Sequence, residues 1–234
     1  MRHSITVQAL LLTAAVWASS WPQTAAAQRP ALARDLLMEG KVTVWGWLYP
    51  DAQTVNRGGF TDVTFAVRFP DKKTAEAADK LKGQRVEMVG SLKVTAREPK
   101  LLQLEVSAIK PGQPKKVTPS EDDDSAYYKV EGEVVVRARL TKGDPKLKSD
   151  AALATPIRNN MIIPIFFERN SEELDGLLGG RHQAVLEKGK KELAKKAVAL
   201  EDREVLIRAS LRGHQFPGRY EYIAYIIQEI QVTD

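Results

Sequence analysis

The stretch GKVTVWGWL, Gly40 to Leu48, returns later in the chain as GEVVVRARL, Gly132 to Leu140. A pattern that occurs twice predicts two copies of one supersecondary arrangement, because each copy must bury the same kind of face. The alternation in both copies is that of a β-strand, whose successive side chains point to opposite sides. Val42, Val44, Gly46 and Leu48 stand over Val134, Val136, Ala138 and Leu140, so one face is kept. The other face changes completely, with Trp45 and Trp47 opposite Arg137 and Arg139. Positions that both copies keep apolar are those an interior demands. Val42, Val44, Gly46 and Leu48 are therefore expected inside, and Trp45 and Trp47 outside.

The repeat extends further. LKGQRVEMVGSLK (Leu81 to Lys93) lies over LEDREVLIRASLR (Leu200 to Arg212), pairing Leu81, Val86, Met88, Gly90 and Leu92 with Leu200, Val205, Ile207, Ala209 and Leu211. Leu102, Leu104, Val106 and Ile109 lie over Ile223, Tyr225, Ile227 and Ile230. Between these blocks each half carries an apolar strand, VTFAVRF or MIIPIFF, and then a helical stretch. Each half thus reads strand, strand, helix, strand, strand, which suggests a small closed or partly open barrel with the helix at one end. On Val42, Val44, Gly46 and Leu48, then Leu81, Gly83, Val86 and Gly90, then the Leu102 to Ile109 strand, the chain resembles the OB-fold, in particular its anticodon-binding-like branch. The resemblance covers Glu39 to Lys110 and, more loosely, Lys129 to Val232. It implies a mostly β fold with inserted helices, built as two tandem OB-like small β-barrels. The second copy departs from the family's pattern, with Ala138, Asp202 and Ala209 where the first has Gly46, Gly83 and Gly90, so its closure follows less directly from the resemblance.

Arg2 and His3 precede the apolar run ALLLTAAVWA, and small residues close the segment at Ala25-Ala26-Ala27. This predicts a signal peptide over 1–27, cleaved before Gln28, and hence a periplasmic or secreted protein. No later apolar run has the roughly 20 residues of a spanning helix, so no membrane span is expected after cleavage. With 0 Cys the chain forms no disulfide and offers no thiolate to a metal, so packing alone must hold it. Residues 28–38 form an N-terminal segment, and 39–111 the first OB-like domain. The proline-rich and then acidic 112–126 is a linker, and 127–234 the second domain. That second domain carries an enlarged helical insertion at about 170–200. There Asn170 is an N-cap with Glu173 three residues on, Gly179-Gly180 a break, and a basic helix runs to about Ala199. Glu187 and Glu192 precede Lys191 and Lys196 by four residues, the pairing of a solvated helix face.

Little in the chain suggests catalysis. After cleavage His182 and His214 are the only histidines, and they share no ligand spacing, so neither a metal nor another cofactor is expected. Ser91 and Ser210 sit in no G-x-S-x-G elbow. Glu121 to Asp124 lacks the alternating ligands and turn glycine of a calcium loop and reads as linker. The expectation is a protein that is not an enzyme.

Binding is the better prospect. In OB-folds the loop at Asn56 to Phe60 and the late hairpin loops flank the ligand face. Those loops bring Arg57 and Phe60, then Lys93, Arg97 and Lys100, then Arg212, His214, Phe216, Arg219 and Tyr220. Cations beside rings suit single-stranded nucleic acid, since phosphates want charge and bases stack. The balance of 35 Lys+Arg against 30 Asp+Glu is only mildly basic. The outward face of Trp45, Trp47 and Tyr49 has three candidate contacts. It could stack on a ligand, lie under the segment Arg34 to Gly40, or pack against the other module under Arg137 or Arg139 as cation–π partners. The favoured contact is a seam, and the favoured function is recognition of a protein or other extracytoplasmic partner. Binding of nucleic acid or another polyanion through Trp45, Trp47 and the basic loops stands as the alternative.

Overall fold

Alternating apolar residues become strands wherever a closed sheet can bury one of their faces, and such strands account for most of the described residues. The computed structural model describes residues 31–51, 54–56, 65–112, 128–143, 146, 149–167, 182–187, 189–215 and 222–233. The first half contains β1 (Leu36–Leu48), β2 (Thr54–Asn56), β3 (Phe65–Arg68), α1 (Lys72–Lys80), β4 (Arg85–Thr95) and β5 (Leu102–Pro111). The second contains β6 (Tyr128–Lys142), β7 (Ala151–Thr155), the single turn α2 (Ile157–Asn160), β8 (Met161–Phe167), β9 (His182–Leu186), α3 (Lys191–Ala199), β10 (Glu204–Gln215) and β11 (Tyr222–Val232). The segment 1–27, the loop residues 57–64 and the stretch 113–127 lie outside the described residues. Among the described residues no helix is long and apolar enough to cross a membrane.

Pairing runs β6-β7-β8-β9-β11-β10 and returns to β6, closing a six-stranded barrel. It also runs β1-β2-β3-β5-β4 and returns to β1. In both circuits closure pairs strands that would otherwise be edges. The architecture is compatible with an OB-like barrel. β3 and β5 are parallel, as are β8 and β9, and β9 and β11. The helix of each half leads into β4 or β10. Asp71 caps α1 by accepting from the Thr74 N–H at 2.7 Å and the Thr74 hydroxyl at 2.5 Å. These bonds, the hydroxyl's first, hold its carboxyl below the ordinary aspartate value.

The structure corrects the expected strand count. β2, β7 and β9 are additional to the strand, strand, helix, strand, strand reading. β7 and β9 lack alternation because both of their faces are covered: Ala151, Ala152 and Leu153 are buried in a row, as are Gln183, Ala184, Val185 and Leu186. The stretch after Gly180, expected to be helical, is therefore partly strand, and the helix begins only at Lys191. Its lysines are exposed, and Lys195 pairs with Glu192 at 2.8 Å, one residue nearer than the expected Lys196. Asn170 and Glu173 lie outside the described residues.

Positions equated by the repeat hold equivalent places in the two circuits. β1 sets Val42, Val44 and Gly46 against Gly90, Met88 and Val86 of β4. β6 sets Val134, Val136 and Ala138 against Ala209, Ile207 and Val205 of β10. A register shift falls between Val89 and Gly90 in one half and between Arg208 and Ala209 in the other. Val42, Val44, Leu48, Val134, Val136 and Leu140 are all buried, as the kept face required. The glycine replacements in the second copy do not prevent closure. Asp202 adopts φ 63°, against 67° at Gly83, and its N–H donates to Leu140 O at 2.9 Å as that of Gly83 does to Leu48 O at 2.9 Å. Aspartate is one of the few side chains that tolerate this left-handed backbone.

Candidate binding surface at the β1–β6 seam

The two first strands are joined to each other. β1 and β6 pair antiparallel from Met38↔Val136 to Trp45↔Lys129, with Lys41↔Glu133 midway. Lys41 and Glu133 are equivalent in the repeat, and Gly40↔Val134 mirrors Val42↔Gly132. The seam is thus self-complementary about a local two-fold axis, like an isologous interface between identical subunits. Glycine is needed on both sides of that axis. A Cβ on Gly40 would lie 2.7 Å from the Val134 Cα, and one on Gly132 would lie 2.7 Å from the Val42 Cα, each also colliding with a backbone carbonyl.

Paired residues share a face, so the seam joins the outer surfaces of the two circuits into one sheet, β4-β1-β6-β10. Its two ends carry different chemistry. At one end Trp45 is half-buried, and Lys129 Nζ sits 4.8 Å from the centroid of its ring. Trp47, one pleat further along the same face, is 38% exposed. Val89, opposite Thr43, is 40% exposed. At the other end Arg137 Nε donates to Leu36 O and its Nη2 to Ala33 O, both at 3.4 Å, while its Nη1 lies 3.7 Å from Glu204. Arg139 is exposed.

Trp45 and Trp47 do face outward, but their surroundings differ from the candidates. The cation over Trp45 is Lys129, since Arg137 and Arg139 belong to the far end of the seam. The segment Arg34 to Gly40 cannot lie over the indoles, because from Leu36 onward it is the start of β1 itself and runs away from them, with Leu37 and Met38 buried. Tyr49 is half-buried just past the end of β1. Lys93 is engaged by carboxylates, 3.3 Å from Glu105 and 3.9 Å from Glu39. Arg97 is exposed in the turn between β4 and β5, and Arg212 is exposed on β10. His214 falls within β10, opposite Lys129. Arg57, Phe60, Arg219 and Tyr220 lie outside the described residues. Among the described residues no group of three or more metal-ligating side chains occurs.

No protein-family model and no curated protein matches this chain. Lys129 was missed by sequence reasoning, because only the cross-seam register brings it to Trp45. The glycine at the same offset in both copies was the available signal for that seam.

Proposed function

We propose that the chain is a non-enzymatic, exported binding or scaffolding protein, built from two OB-like modules, that recognises a protein partner through the tryptophan end of the seam. The observation that carries this reading is the exposure of Trp47 and Val89 on a sheet face whose interior side is already filled. Exposed indole on a surface fixed by paired strands suits a protein contact, where aromatic anchors contribute disproportionately. Several cations of this face are already paired with carboxylates, which weakens its attraction for a polyanion. Lys110 lies 3.0 Å from Glu87, Arg208 lies 3.6 Å from Glu229, and Lys129 pairs with Glu131.

The test compares the full chain with Trp47→Ser. Cross-linking in an extracytoplasmic extract should trap a discrete protein with the wild type and lose it with the variant, while the two melt alike. Tryptophan emission titrated with a single-stranded oligonucleotide at low salt should stay flat. Salt-dependent quenching would replace this reading with the polyanion one.

A further inference from the structure

Each first strand has a fork where it leaves its twin and takes up the next strand of its own circuit. On β1 the fork lies between Trp45, paired with Lys129, and Trp47, paired with Asn56. On β6 it lies between Val136, paired with Met38, and Arg139, paired with Ala154. The first fork is flanked by indoles. The second opens into a groove of about 560 Å³ lined by Arg34, Arg137, Arg139 and Glu204, with Leu37 and Ala154 among its apolar residues. That volume lies in the range of small-molecule sites, about 300–1,000 Å³.

We infer that this groove binds a small organic acid, its carboxylate held by Arg34 and Arg139 and its hydrocarbon part lying on Leu37 and Ala154. Arg137 is committed to two backbone carbonyls and Glu204, and serves as a fixed positive wall. Arg34 and Arg139 are exposed, and a guanidinium fork matches a carboxylate in shape. Three arginines against one glutamate leave the lining cationic. Glu204 also selects among anions, because its repulsion grows with ligand charge and so penalises a phosphate dianion more than a monocarboxylate. The apolar lining suits a ligand with hydrocarbon surface to bury. The inference is separate from the partner reading, since the groove and Trp47 occupy opposite ends of the seam.

The experiment titrates the full chain with butyrate by calorimetry and amide chemical shifts, with inorganic phosphate and butylamine as contrasts. Butyrate should bind saturably, shift the amides of Ala138 and Ala154, and bind about tenfold more weakly to Arg139→Gln and to Arg34→Gln. Both arginines are exposed, so these variants should fold, and Trp47→Ser should bind butyrate as the wild type does. No saturable binding, or undiminished binding by both arginine variants, would overturn the site. Phosphate or butylamine binding as tightly as butyrate would overturn the ligand class.

Discussion

At Asp202 a single residue records how the second copy closes without the glycine of the first. Its φ of 63° is the conformation Gly83 adopts without steric cost, and its N–H makes the matching bond to the end of the first strand of its circuit. The tolerance of aspartate for this region is incomplete, so some strain remains. Asp202→Gly should therefore stabilise the protein by roughly 0.5–1 kcal/mol in urea unfolding, while a β-branched residue there should destabilise it. A glycine variant less stable than the wild type would mean that the aspartate side chain contributes a bond worth more than the strain. The sequence marked this position as a departure from the first copy but could not say whether it mattered, because identity at a residue says nothing about the φ that a tolerated substitute can adopt. Val42, Val44 and Leu48 were legible for the opposite reason: alternation with one buried face leaves a direct trace in composition.

Among the elements, β1 and β6 matter most, since each pairs within its own circuit on one edge and shares the seam on the other. Gly40 and Gly132 let their backbones approach. Gly132→Val would drive a branched side chain into the Lys41 carbonyl and the Val42 Cα, and should cost about 2–3 kcal/mol. Hydrogen exchange should show the loss first at the β1–β6 ladder, with β10–β11 protected for longer. Faster exchange confined to β10–β11 would contradict the seam's role. Such a seam is hard to foresee, because pairing between distant strands is made by backbone groups that any residue except proline supplies. β7 and β9 were missed for a related reason, as burial on both faces erases the alternation that announces a strand.

The whole molecule is tied together twice, once by the continuous ladder β4-β1-β6-β10 and once by a hydrophobic cluster that includes Val42 and Met88 as well as Val134 and Ile207. Two barrels on a proline-containing linker would be expected to move and melt independently. With shared ladder and shared core they should unfold together. In the chain without residues 1–27, which carry Trp17 and Trp21, tryptophan emission comes from Trp45 and Trp47 and reports on the first circuit; it should follow the same denaturation curve as far-ultraviolet circular dichroism, which reports on all strands. Separated midpoints would show that the two circuits unfold independently in spite of the seam. The local two-fold at Lys41 and Glu133 has a last consequence. Were the two halves separate but identical chains, any side chain chosen for one extremity of their contact would have to appear at the other as well. Covalent continuity removes that obligation, which is how indoles and guanidinium groups come to occupy related stations within one polypeptide.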